Sequence, residues 1–221
     1  MRHDATVTLA ELAARKPGAA RVFMSHGLDF CCKGRRPLAD ACAEKGVDSG
    51  NVLEAIEAAA GARSDLTDWT ERPAGELVGF IVGHYHARLR EQIPALVTMA
   101  ERVEARHADK PTVPRGLALH LRRLQESALA HLDKEESGVF PEILAGRAVD
   151  WGGPMHALEL EHEDHGAALA TTRALTDGLV APPEACTTWR ALYVGLAQLE
   201  HELMEHIHLE NNVLFPRVLC R

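Results

Sequence analysis

The chain is short of aromatic residues: Phe, Trp and Tyr together make up 5% of its 221 residues. A core without many rings is filled with Ala, Leu and Val, which favours closely packed helices. Long apolar runs are missing too. Leu77–Gly83 is among the longest and ends at His84, far below the ~18 apolar residues that a membrane helix needs. No alternating strand pattern of useful length occurs. An excess of positive charge is also lacking: 24 Lys and Arg stand against 32 Asp and Glu, a net charge of −8. That balance speaks against a broad nucleic-acid surface. Asp4 and Glu11 interrupt the apolar residues near the N-terminus, so no signal-peptide core is read there. The five cysteines, Cys31, Cys32, Cys42, Cys186 and Cys220, are odd in number and form no paired framework. The expectation is a cytoplasmic protein with free thiols.

The chain is ordinary in other respects, with 46% hydrophobic and 25% charged residues, so it is a folded globular protein. Turn and cap residues divide it in two. Thr8, Pro17-Gly18, Gly27, Pro37, Gly46 and Asp48 or Ser49 cut residues 1–61 into four short helices. Residues 62–73 read as a polar linker. Residues 74–221 then read as four long helices, approximately 74–106, 114–144, 154–178 and 182–219, with prolines near three of the starts. Pro94 falls inside the first and is expected to bend it; Pro141 and Pro216 bend or end the second and fourth. Helices of this length joined by short loops describe an all-α four-helix bundle behind a small helical N-terminal domain.

Thirteen histidines are the positive feature. His131-x-x-x-Glu135 followed by Phe140-Pro141 repeats as His206-x-x-x-Glu210 followed by Phe215-Pro216, offset by 75 residues. His86 and His162 are related by an offset of 76. Each half therefore carries one His and, about 45 residues later, a His-x-x-x-Glu pair. At 100° per residue the members of each pair share a face, and that face is apolar. Leu124 and Val139 flank the first pair, Leu199 and Leu214 the second, Val82 and Leu89 His86, and Leu158 and Leu169 His162. Buried carboxylates and imidazoles need compensation. Two metal ions supply it, with two His per ion, Glu135 and Glu210 shared, and a solvent-derived oxo or hydroxo bridge. Nitrogen and oxygen ligands without thiolate suit iron, with manganese or zinc as alternatives. Most other histidines point away from this stripe; His120 shares the face of His131 but lies three turns distant, and His165, three residues from His162, reaches the rim. Glu161, beside His162, reads equally as a proton-handling catalytic group and as part of a solvated face.

Further motifs support a family resemblance. They are Asp29-Phe-Cys-Cys-Lys-Gly34, Tyr85-His86, His107-Ala-Asp-Lys-Pro-Thr-Val-Pro114, Glu161-His162, Pro182-Pro-Glu-Ala-Cys-Thr-Thr-Trp189 and Met204-Glu-His-Ile-His-Leu-Glu-Asn-Asn-Val-Leu-Phe-Pro216. With them the chain resembles the bacterial repair-of-iron-centres proteins (YtfE/ScdA type), hemerythrin-like di-iron proteins, over nearly its whole length. The resemblance implies a non-haem di-iron centre on His86, His131, Glu135, His162, His206 and Glu210, with the two glutamates bridging. It implies repair of iron–sulfur clusters damaged by oxidative or nitrosative stress, through iron donation or removal of nitric oxide. The partners so implied are damaged iron–sulfur proteins or nitric oxide and a thiol or other electron donor, without nucleic acid or membrane; a homodimer is left open. A nitric oxide reductase forming nitrous oxide, and a sensor or binding module for O2 or nitric oxide, are the alternatives. Cys31 and Cys32 read as groups that exchange with a thiol or capture iron or nitric oxide, or simply as reduced thiols of a small domain. Lys33, Arg35 and Arg36 are expected to favour their thiolates. Where the family commonly continues Gly-Gly, this chain has Lys33-Gly34, so a positive φ at the first position is less easily made. Cys42, Cys186 and Cys220 read as structural or incidental.

Overall fold

The computed structural model describes residues 7–16, 18–60, 68–147, 149 and 151–219. Among the described residues there is no strand beyond two isolated bridges, Thr8 with Pro37 and Val149 with Leu219. The small domain is built from α1 (Leu9–Arg15), α2 (Ala19–Ser25), α3 (Leu38–Lys45) and α4 (Ser49–Ala60). Thr8 caps α1 in a reciprocal arrangement: it accepts from the Glu11 N–H, and the Glu11 carboxylate accepts from the Thr8 N–H. The Asp48 side chain accepts from the Asn51 N–H at 2.9 Å and so caps α4. Leu9, Phe23, Leu28, Phe30, Leu38, Val52 and Ile56 fill this domain's own core.

Four long helical rods follow. The first joins α5 (Ala74–Phe80), a π-helical stretch π1 (Ile81–His86) and α6 (Ala87–Arg106). The second joins α7 (Leu117–Lys134), π2 (Glu135–Val139) and α8 (Phe140–Leu144). The third is α9 (His156–Leu175). The fourth joins α10 (Thr187–His208), π3 (Leu209–Leu214) and α11 (Phe215–Val218). α6 lies against both α7 and α10, α7 against α9, and α9 against α10, which closes the ring.

The rods differ from expectation in instructive places. α7 and α10 start later than their prolines, because Gly116 is left-handed at φ +86° and Cys186 is extended. Pro94 lies inside α6, which continues through it. Pro141 and Pro216 are second residues of α8 and α11, each directly after a π stretch. Where i→i+5 bonding returns to i→i+4, one carbonyl loses its helical donor in any case, so the missing proline N–H costs little there. Residues 62–67 of the expected linker lie outside the described residues. Residues 68–73 are tied down: Arg217 donates to the carbonyl of Trp69 at 3.0 Å and of Arg72 at 2.5 Å, and Trp69 stacks on Phe80.

The bundle's interior has two apolar layers. One holds Leu89, Ile93, Leu121, Leu124, Trp189, Leu196 and Leu199; the other holds Leu77, Ile81, Phe140, Leu158, Leu214 and Phe215. In every rod the chain crosses from one layer to the other near a histidine or glutamate of the sequence pattern. The polar residues therefore form a thin sheet of charge between two oily slabs.

Candidate metal centre

All six pattern residues are brought together. His86, His131, Glu135, His162, His206 and Glu210 are each at most 1% exposed. Three of them lie on π-helical stretches: His86 ends π1, Glu135 opens π2, and Glu210 lies in π3. A π turn rotates the following side chains relative to an α-helix and is frequent at functional sites. Here it lets one rod turn a ligand inward while keeping the apolar stripe on both sides of it.

Two donor groups result, and both glutamates belong to each. One is His86, Glu135, His206 and Glu210; the other is His131, Glu135, His162 and Glu210. Within each group one ligand atom per residue lies within 4.8 Å of all the others. The imidazole Nε2 atoms face each other in pairs, His86 to His206 at 3.0 Å and His131 to His162 at 2.8 Å. Carboxylate oxygens face them too, with Glu135 3.2 Å from His131 and Glu210 3.2 Å from His162.

The far side of the rings fixes the tautomers. His86 Nδ1 donates to Glu136 at 2.9 Å, His131 Nδ1 to Glu161 at 2.9 Å, and His162 Nδ1 to the Asn211 amide oxygen at 2.8 Å. The Asn211 nitrogen donates to the Cys31 carbonyl, which settles the orientation of that amide. His206 Nδ1 has no partner, but its ring lies against Tyr85 at 5.7 Å. With Nδ1 protonated, the neutral rings of His86, His131 and His162 turn an Nε2 lone pair inward toward other acceptors. Both Glu135 oxygens and one Glu210 oxygen lack a hydrogen-bond donor despite full burial. Such a cluster of acceptors requires cations. Without metal it draws protons: burial pulls His131 down, but Glu135, Glu210 and Glu161 outweigh it and push the group up to about 9. His86 is raised against its burial by Glu210 and Glu135. Glu210 is held well below the carboxylate range against its burial by His206, His162 and His86. The donor set of imidazole nitrogens and carboxylates fits borderline divalent or trivalent cations such as iron.

Glu161 touches His131 at Nδ1, on the side opposite Glu135, and is also paired with Lys134. Burial raises its carboxyl, but Lys134 and His131 reverse this and hold it ionised. In this position it orients a ring and offers no free proton. His165 is buried, 3% exposed, with its ring edge-on to His131 at 5.0 Å. Sequence reasoning missed Glu136, Asn211 and Tyr85. A signal existed: each follows or precedes a pattern residue by one position and supports a histidine of a neighbouring rod. One residue is 100° of rotation, which carries a side chain from the bundle axis to the seam between helices.

The Cys31-Cys32 turn docks on the bundle. Asn212 donates to the Cys31 carbonyl at 3.0 Å and the Phe30 carbonyl at 3.3 Å. Cys32 Sγ lies 3.5 Å from the His162 carbonyl, and Cys31 is 3% exposed within the bundle's apolar layer. The expected help for a thiolate fails at Cys31. The Cys32 thiol, burial and the Asp29 carboxylate push its thiol well above the usual range. The two arginines are engaged elsewhere, Arg35 near Glu159 and Arg36 with Glu44. Lys33 is not in the left-handed region. It is Gly34 that the turn demands: a Cβ there would lie 2.4 Å from the Phe30 carbonyl and 2.9 Å from Asn212. Cys42 is buried in the small domain's core, Cys186 lies 3.2 Å from His107, and Cys220 falls outside the described residues.

A four-rod bundle with paired His and Glu groups in its interior defines a hemerythrin-like protein. The model of the hemerythrin HHE cation binding domain matches residues 81–218. A model for the ScdA_N domain, described as a domain of unknown function, matches residues 5–60. The iron-sulfur cluster repair protein YtfE of Escherichia coli O1:K1 is 44% identical over 212 residues, covering 96% of both chains. The protein of the same name from Citrobacter koseri is 44% identical over 215 residues, again covering 96% of each. The chain belongs to this family of YtfE-type iron–sulfur cluster repair proteins. Among the described residues no helix is long and apolar enough to cross a membrane.

Proposed function

We propose that the protein holds two iron ions between His86, His131, Glu135, His162, His206 and Glu210 and serves the repair of damaged iron–sulfur clusters. The observation that carries this is the buried, donor-poor cluster in which both glutamates are common to two His-bearing groups. Kinship with iron–sulfur cluster repair proteins supplies the cellular role. When bound, the irons supply redox and ligand-exchange chemistry. The chain's residues do the rest. Glu136, Glu161 and Asn211 lock the rings with Nε2 inward. The two apolar layers keep bulk water from the carboxylates. Residues 1–61 form the thiol-bearing domain and 74–221 the metal-bearing one, joined through 62–73.

Iron donation is the leading route. Ferrous iron binds carboxylates and imidazoles less tightly than ferric iron, so reduction loosens the ion for transfer. The protein loaded with iron should restore the cluster of an apo-form iron–sulfur protein when a reductant is present, and should lose iron to a chelator faster when reduced than when oxidised. Equal rates would reject donation. Removal of nitric oxide is the second reading, favoured by the approach of Cys32 Sγ to the backbone carbonyl of His162, 3.5 Å away on the helix that carries this ligand. Consumption of nitric oxide with thiol as reductant, abolished by replacing both Cys31 and Cys32 with Ser, is its test.

A further inference from the structure

The bundle does not contain all of the metal-ligating side chains. Asp29, Cys31 and Cys32 form a third group, with one donor atom per residue and all within 4.8 Å of one another. Nothing in the proposed chemistry of the bundle needs Asp29. Its carboxylate oxygen nevertheless organises the turn: it accepts from the Cys32 N–H at 3.0 Å and lies 3.4 Å from Cys31 Sγ. The two sulfurs are 3.6 Å apart.

These separations can be tested against coordination geometry. With metal–sulfur bonds of about 2.3 Å, two sulfurs at 3.6 Å subtend about 103° at the metal. With a metal–oxygen bond of about 2.0 Å, the 3.4 Å between Asp29 and Cys31 subtends about 104°. Both lie close to the tetrahedral angle. A linear two-sulfur site would hold the sulfurs about 4.6 Å apart at the same bond length. The turn therefore matches a tetrahedral divalent ion in place of a linear monovalent one.

Access and rigidity agree with this. Cys31 is buried, whereas Cys32 is partly exposed and lines two cavities, one of about 250 Å³ and one of about 560 Å³. Glu163 lines both of them as well. The backbone of the turn is held by Asn211 and Asn212 through the Cys31 carbonyl. Gly34 keeps the chain close to Asn212.

We propose that Asp29, Cys31 and Cys32 form a second metal site, for one divalent cation of borderline softness, with its fourth position open to the cavity. Binding replaces the two thiol protons, which pass to solvent, and leaves a dithiolate–carboxylate complex. A metal ion deprotonates a coordinating thiol outright, which overrides the protonated state that Cys31 prefers when the turn is metal-free. Asn211 connects the two sites: its oxygen accepts from the His162 ring and its nitrogen donates to the Cys31 carbonyl. That ferrous iron is the natural occupant rests on the function proposed above; the site itself does not.

Cobalt(II) is the probe, added without oxygen to the full-length protein with its bundle loaded with iron. The expected result is one cobalt bound per chain, with thiolate-to-cobalt charge-transfer absorption, the intense visible bands of tetrahedral cobalt, and release of protons. Cys32→Ser should abolish the charge-transfer bands. Asp29→Asn keeps an oxygen for the Cys32 N–H but loses the charge. It should weaken binding at least as much as the ~10–100-fold that losing a partner behind a metal ligand costs. Circular dichroism checks that both variants fold. In Glu135→Leu the bands should persist, which separates this site from the bundle. Absence of thiolate bands, their survival in Cys32→Ser, or their disappearance in Glu135→Leu would overturn the site. Failure of Glu135→Leu to lose bundle metal would instead count against the function proposed above.

Discussion

The two halves of the bundle repeat one pattern, yet they support it differently. In the first half, His86 and His131 lean on carboxylates, Glu136 and Glu161, which are 34% and 29% exposed at the side chain. In the second, His162 leans on the neutral Asn211 and His206 on the ring of Tyr85. Asn211 is 7% exposed, because the Cys31 turn of the small domain covers it. A carboxylate under that cover would need a partner of its own. An amide serves both neighbours, accepting from His162 and donating to Cys31. The repeat thus preserves the ligands, while the supports follow what lies outside: water for the first half, a docked domain for the second. Each donor group takes one histidine backed by a carboxylate and one that is not.

The comparison breaks most completely at the residues that the halves share. Glu135 and Glu210 each belong to both groups, so replacing either with Leu should cost the protein both ions. Replacing His86 with Ala should spare the group built on His131 and His162. Metal analysis of the purified variants checks this, with circular dichroism to show that the helices remain. Helix content should hold, because a leucine extends the apolar layers on either side.

The cover over the second half can be tested by acid. His208 is 4% exposed and faces Phe30 of the small domain at 5.5 Å. Burial lowers its pKa from 6.5 to about 4. The unfolded chain takes the proton first as pH falls, so this contribution to stability is complete above about 6.5 and declines as the pH approaches 4. The shift corresponds to roughly 3 kcal/mol at most. Denaturant unfolding at a series of pH values should show a shallower acid limb in His208→Leu than in the parent. Parallel limbs would mean that His208 does not report on the covered interface.

Much of this was legible in the sequence. The four rods and the six central residues follow from His-x-x-x-Glu, the 75-residue offset and the leucines around them. The π stretches were not legible, since a shift from i→i+4 to i→i+5 leaves no mark on hydrophobic spacing over one turn. Pro141 and Pro216 were the trace they left, read instead as bends or ends of the second and fourth helices. The docking of residues 29–34 was hidden for another reason. It rests on single hydrogen bonds from Asn211 and Asn212 and on the close approach at Gly34, and none of these has a periodicity. Cys31 shows the limit most clearly. Its arginine neighbours in sequence pair with Glu159 and Glu44, and the adjacent Cys32 thiol and burial, with Asp29 adding to them, set its ionisation.

The smallest expected effect separates the supports themselves. Glu136→Gln and Glu161→Gln keep an acceptor for Nδ1–H but remove the charge that makes the imidazole a stronger donor to a cation. Partners behind metal-bound histidines typically account for ~10–100-fold in metal affinity, and the neutral replacements should fall at the lower end of that range. The two glutamines should weaken different ions, one through His86 and the other through His131, so competition with a chelator should show one ion leaving early in each. Asn211→Asp is the converse change. It gives His162 the carboxylate that the first half uses, but it buries a charge beneath the Cys31 turn and removes the donor to the Cys31 carbonyl. If charge on the supports governs affinity, Asn211→Asp should hold metal at least as tightly as the parent while the small domain becomes more sensitive to protease. If instead it loosens both the metal and the domain, the second half depends on its cover, and the asymmetry between the halves is a consequence of docking.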